Sequence, residues 1–115
     1  MARTFDEDQL LQRVDHDLSF LGETVQMLES DGRALMKSVK SALAAGKASD
    51  VGQHGHALKG MISNFCAAEA HAIAAEIERA GKAGDCAGAS SAAIRLEPSL
   101  ESLIAELRAF VKAKP

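Results

Sequence analysis

Between Leu18 and Leu43, apolar or small residues recur at Leu18, Leu21, Val25, Leu28, Gly32, Leu35, Val39 and Ala42 or Leu43. Steps of three and four put these positions on one stripe of an α-helix. The register continues across Ser30-Asp31-Gly32, which predicts one long helix with Gly32 as a close-packing point or slight bend. Asp15-His16-Asp17 offers capping side chains ahead of it, and Gly46 stands where a helix C′ glycine would. A second stripe, Val51, Leu58, Ile62 and Phe65, follows Asp50, which forms a capping box with Gln53. Beyond Phe65 the stripe drifts through Cys66, Ala70, Ile73 and Ile77, leaving Glu69 near the core side. A 3.5-residue period in a supercoiled bundle produces such drift, so one helix is predicted over about residues 50 to 80, ended by Gly81 and Gly84. The last stripe, Cys86, Ala89, Ala93, Leu96, Leu100, Leu103, Leu107 and Phe110, opens at a capping Asp85. Pro98 lies inside it and predicts a kink or break near residues 94 to 97, both halves packing on the same core. Near the start, Asp6 with Gln9, and Phe5 stapling onto Leu10, predict a short helix to about Val14. Too short to stand alone in water, it reads as a lid on one end of a bundle.

These elements predict an all-α fold, an up-and-down antiparallel four-helix bundle with a short N-terminal capping helix, as a single domain over residues 1–115. The count of four uses the two halves of the last segment or the short first helix. Composition agrees. About a fifth of the 115 residues are alanine, Trp and Tyr are absent, and 47% are hydrophobic, a profile of closely packed helices rather than strands. The formal charge of -3, without a basic stripe carrying interleaved aromatics, argues against nucleic acid as a partner. No apolar run approaches the ~20 residues needed to cross a bilayer and no signal peptide is visible, so a cytoplasmic location without membrane attachment is expected. Cys66 and Cys86 lack a CxxC spacing and fit buried free thiols in a reducing compartment.

The chemistry concentrates in His54 to Phe65, HGHALKGMISNF. His56 falls on the polar side of its helix, Lys59 and Gly60 lie one turn beyond it, and Ser63 follows on the same side. A solvent-accessible imidazole is largely neutral at neutral pH and keeps one ring nitrogen free to attack phosphorus. Phosphoryl transfer is mostly positioning plus charge stabilisation, and Lys59 supplies one positive charge. A glycine costs a helix interior roughly 1 kcal/mol relative to alanine; at position 60 it leaves the imidazole or its phosphate without an overhanging side chain. The adjoining face, Gly60, Ser63, Ala67 and Ala74, is nearly flat, which suits a docking partner, although alanine is also simply a good helix former. Ser63, Asn64 and Ala67 are the candidate docking positions.

The run His56-Ala57-Leu58-Lys59-Gly60 resembles the HxLKG signature of the histidine-containing phosphotransfer (HPt) domain family. The likeness extends over nearly the whole chain, from Phe5-Asp6 through Leu43-Ala44-Ala45-Gly46 to Ile77-Glu78 and Gly81. It implies that His56 is the phosphorylation site and that Lys59 and Gly60 support it. Where the family usually has small residues after the LKG and a glycine ten positions past the histidine, this chain has Met61, Ile62 and Cys66, which point largely toward the core.

Other readings of the same residues are plainer. His54 and His56, two apart on a helix, point about 200° from each other, and no carboxylate or third ligand is seen to converge on either, so no metal site is expected. His54 fits a helix interface, and His16 and His71 fit surface or capping positions. Ser63 lacks the base and oxyanion donors of a nucleophilic serine. Glu76, Glu78, Arg79 and Lys82 read as a solvated face. Three function classes follow. The first is a phosphoryl carrier without catalytic turnover of its own, exchanging phosphate between response-regulator receiver domains or a hybrid sensor kinase, needing no cofactor in this chain because the receiver partner brings Mg²⁺. The second is a helical adaptor that docks on receivers. The third is the phosphoacceptor module of a chemotaxis-type kinase. A chain that closes its own bundle is expected to be a monomer, and no Gly-rich phosphate loop is present for self-phosphorylation from ATP.

Overall fold

In the computed structural model, which describes residues 4–113, the chain is helical almost throughout. The outermost residues 1–3 and 114–115 of the predicted 1–115 domain lie outside that range. The elements are α1 (Glu7–Arg13), α2 (Leu18–Met27), α3 (Arg33–Ala44), α4 (Ala48–Ile62), α5 (Ala68–Lys82) and α6 (Cys86–Ala113). A single π-helical turn, Leu28–Gly32, joins α2 to α3 with helical backbone throughout, so the two form one rod. That rod, α4, α5 and α6 make the antiparallel four-helix bundle, with α1 laid across one end. The molecule measures 46 × 24 × 20 Å, its length set by α6, whose 28 residues span about 42 Å at 1.5 Å per residue. Among the described residues no helix is long and apolar enough to cross a membrane.

The helix ends follow from local chemistry. Asp6, Asp17 and Asp85 each accept a backbone N–H three residues on, from Gln9 at 3.0 Å, Phe20 at 3.0 Å and Gly88 at 2.8 Å. Gly46 and Gly84 have φ of +68° and +76°, and paired reverse bonds close both ends: Lys47 N–H to Ala42 O with Gly46 N–H to Leu43 O, and Asp85 N–H to Ala80 O with Gly84 N–H to Gly81 O. A residue without a Cβ adopts this left-handed turn without steric cost. The first closure returns the chain so quickly that α4 starts at Ala48, and Asp50 sits inside its first turn rather than capping it. Its charge there still faces the positive helix end.

The predicted single helix over residues 50 to 80 is two antiparallel helices. α4 tightens into a 3-10 turn, Ser63–Phe65, and Cys66 takes a left-handed conformation at φ 55° before α5 begins. The drifting stripe is therefore a reset of phase between two rods, not a supercoil: α4 buries Val51, Leu58 and Ile62, while α5 buries Ala70, Ile73, Ala74 and Ile77. The reset leaves Glu69 exposed. Tertiary contacts supply the stop that the sequence lacks. Asp6 N–H bonds Cys66 O at 3.0 Å, Phe65 is buried, and Phe5 meets Phe110 edge-on at 5.4 Å, so α1 and the end of α6 clamp the turn.

The fourth helix thus comes from this split and not from Pro98, across which α6 runs unbroken. Ile94 and Pro98 are both exposed, so the bond that the proline removes is lost on the watered side, where the freed carbonyl can hydrate. The π-turn also adjusts the first rod: Met36 is buried at its centre where the 3–4 repeat had put Leu35, which is only half-buried. Gly32 is the predicted close-packing point, a Cβ there meeting Leu28, Leu100 and Met61 at 3.4–3.8 Å.

Candidate functional site

The site is built where α4 crosses α5 at close range. A Cβ on Gly81 would lie 2.4 Å from the Gly52 nitrogen, and one on Gly55 would lie 2.8 Å from the Glu78 nitrogen and 2.9 Å from Ile77 Cγ2. Any larger residue at these positions would hold the rods apart. The missing side chains let the backbones touch, and the contact carries Glu78 of α5 beneath the exposed face of α4.

There Glu78 meets three nitrogen groups. Its Oε2 lies 2.9 Å from His56 Nδ1 and 2.6 Å from Lys82 Nζ, and its Oε1 lies 2.6 Å from Lys59 Nζ. The carboxylate is buried, with 8% of its side chain exposed, whereas His56 is 68% exposed. Hydrogen bonds from Lys59 first and Lys82 next hold the Glu78 carboxyl down at about 2, against the upward pull of burial. An ionised carboxylate only accepts hydrogen bonds, so the proton of a neutral His56 ring sits on Nδ1. The lone pair is then left on Nε2, on the solvent side. Two ammonium groups against one carboxylate leave a net positive surround for whatever anion Nε2 meets.

Of the residues singled out from sequence, His56, Lys59 and Gly60 come together as expected. Among the described residues nothing lies within 4 Å of the Gly60 Cβ position, so none of their contacts requires a glycine there. Lys59 is not a free donor: its ammonium is held by Glu78. Glu78 itself corrects two expectations, because it does not belong to a solvated face and it is a carboxylate that converges on His56. Its signal was weak in the sequence, since it lies on another helix, 22 residues away, and of the glycines that place it Gly81 read only as a helix end while Gly52 and Gly55 carried no reading. Lys82 joins the same cluster, while Glu76 pairs with Arg95. His54 is half-buried facing α3, beside Ala34 and Ser38.

The docking face differs from the predicted one. Ala67 and Ala74 are buried, in the α4–α5 turn and in the core, so they offer no surface; the phase reset turned them inward. Ser63 is exposed and donates its hydroxyl to Gly60 O at 2.6 Å. Asn64 is exposed and accepts from Arg13 at 3.3 Å. Asn64 lies on a groove of about 620 Å³ that also borders His56, Gly60, Met61, Phe20 and Met27. Phe20 and Met27 are 50% and 60% exposed, and their seven-residue spacing, off the core stripe of the first rod, was the available sign of a second apolar face. Among the described residues no group of three or more His, Cys, Asp or Glu could hold a metal ion.

Residues 23–110 match the Hpt domain family. The whole chain is similar in fold to the crystal structure of histidine-containing phosphotransfer protein B (HptB) from Pseudomonas aeruginosa PAO1, with a TM-score of 0.82, 23% identity and coverage of 100% of both chains. No curated protein sequence matches it.

Proposed function

The chain belongs to the Hpt domain family and serves histidine phosphotransfer in a phosphorelay, and from that premise we propose that His56 Nε2 is the atom that carries the phosphoryl group. The observation that carries this reading is the exposed imidazole with its Nδ1 side held by the buried Glu78 carboxylate. In the forward step the Nε2 lone pair attacks the phosphorus of a receiver aspartyl phosphate, the P–O bond to the aspartate breaks, and the carboxylate leaves with the bonding pair. The Nδ1 proton stays on the ring, hydrogen-bonded to Glu78, so the phosphorylated ring departs later as neutral imidazole when a second receiver's aspartate attacks. Lys59 offsets part of the charge brought in by the phosphoryl oxygens, and the open space at Gly60 admits the receiver. The groove beside His56, with Phe20, Met27 and Asn64 on it, is the surface on which the receiver would sit. The receiver brings the Mg²⁺ and most of the catalytic charge, and this chain, a monomer in the cytoplasm, acts as a carrier without turnover of its own.

The test is phosphate uptake by the full chain from a phosphorylated receiver, and separately from ATP with a kinase domain. Wild type should load from the receiver, and His56→Gln should fold normally and take up nothing. Uptake that survives in His56→Gln refutes the site. Loading only from the ATP-fed kinase domain would favour the chemotaxis-type module, and docking on receivers without loading would leave an adaptor.

A further inference from the structure

Glu78 Oε2 is shared: His56 Nδ1 and Lys82 Nζ both lie within hydrogen-bond range of it, at 2.9 Å and 2.6 Å, while Lys59 holds Oε1. Lys82 is placed to do this. It stands one turn after Glu78 on α5, and its stem lies against α4 at Gly52, where a Cβ would come within 3.3 Å of Lys82 Cγ and 3.2 Å of its backbone nitrogen. Gly52 is in turn one helical turn before His56. The absence of a side chain at position 52 therefore clears the path along which the lysine runs beside α4.

We propose that Lys82 is a positioning residue for His56: with Lys59 on the other oxygen, it locks the Glu78 carboxylate so that Oε2 faces Nδ1, and thereby fixes the ring tautomer that leaves Nε2 free. This rests on His56 being the phosphoacceptor. Two opposing effects of Lys82 must be weighed. Its charge draws the carboxylate away from the imidazole, but its side chain is 66% exposed, where water and salt screen that charge strongly. Its hydrogen bond fixes a direction, which screening does not remove, and a carboxylate oxygen has two lone pairs, so it can accept from both partners. With Lys59 alone, one carboxylate oxygen is tethered and the other is free to turn away from Nδ1.

The experiment uses the full chain as wild type, Lys82→Met and Lys82→Arg, and the same lysine variants in a Glu78→Gln background. In the unphosphorylated protein, ¹⁵N NMR reads the fraction of His56 with its proton on Nδ1; separately, transfer is timed from a receiver loaded with acetyl phosphate. Lys82→Met, which keeps the packed stem and loses the donor, should lower the Nδ1–H fraction and slow transfer about three- to tenfold. Lys82→Arg should restore most of both, and Lys82→Met should add nothing once Glu78 is Gln. An unchanged tautomer in Lys82→Met, or an equal slowing in the Glu78→Gln background, overturns the proposal, because the lysine would then act on the phosphoryl group or the partner directly. The tautomer measurement needs no phosphate, and loading of His56→Gln reports on the site itself, so the two readings fail separately.

Discussion

Two glycines of α4, Gly55 and Gly60, give opposite answers to the same substitution. An alanine Cβ at position 60 meets nothing within 4 Å, whereas at position 55 it falls 2.8 Å from the Glu78 nitrogen, about 0.6 Å short of the 3.4 Å at which ordinary contact begins. Both changes gain the helix propensity of alanine over glycine, about 1 kcal/mol. That gain cancels when the variants are compared, leaving the overpacking at position 55, about 1–3 kcal/mol. Since the clash is against the α5 backbone at Glu78 as well as the fully buried Ile77 side chain, moving a side chain alone cannot relieve it. Gly60→Ala should therefore melt above wild type. Gly55→Ala should melt below Gly60→Ala by roughly 4–12 °C, at about 4 °C per kcal/mol for a domain near this size. The same shift reaches the site. Pushing α5 outward by up to 0.6 Å takes the His56 Nδ1 to Glu78 Oε2 distance from 2.9 Å toward 3.5 Å, where a hydrogen bond is weak. Gly55→Ala should consequently lose transfer rate under conditions in which it is still folded, and Gly60→Ala should transfer nearly as wild type. Thermal melts by circular dichroism and transfer rates from one phosphorylated receiver decide the matter. A Gly55→Ala protein as stable and as fast as Gly60→Ala would mean that the two helices do not meet as closely as this.

Because the Glu78 carboxyl is depressed to about 2 from 4.5, its ionised form stabilises the fold fully above about pH 4.5 and loses that contribution as pH falls toward 2. Glu78→Gln should flatten this part of the acid limb, and wild type and variant losing equal denaturant resistance between about pH 5 and about pH 3 would contradict it. Lys59→Ala should slow transfer by roughly tenfold, since it removes a positive charge and releases Glu78 Oε1. Added salt should close only part of that gap, because the lysine is largely shielded from solvent, and complete closure would mark an exposed pair instead. Cys66→Gly should stabilise the chain by up to ~1 kcal/mol by relieving the left-handed backbone at φ 55°, while Cys66→Val should destabilise it; equal midpoints for the two in urea would show that the turn carries no such strain.

Position along the chain settled what depends on near neighbours. The amphipathic stripes, the aspartate caps at Asp6, Asp17 and Asp85, the glycine closures at Gly46 and Gly84, and the grouping of His56 with Lys59 and Gly60 all involve residues within two turns of each other, where helical geometry alone fixes which ones meet. The HPt likeness was legible for the same reason, since its signature lies within one helix. What needed the folded chain is what two rods decide together. The stop after Phe65 has no glycine or proline to announce it, because its left-handed residue is Cys66, held by Asp6 and by the packing of Phe5 and Phe65. Once the chain reverses there, Gly52 and Gly55, and Gly81 with its expected role as a helix end, become the seam between α4 and α5. Glu78 and Lys82 pass from an assumed solvated face to the base of the site, and Ala67 and Ala74 turn from surface to interior. A helical stripe is a one-dimensional signal, whereas the partner of a buried carboxylate depends on how closely two backbones approach, and that distance is set only when both are packed.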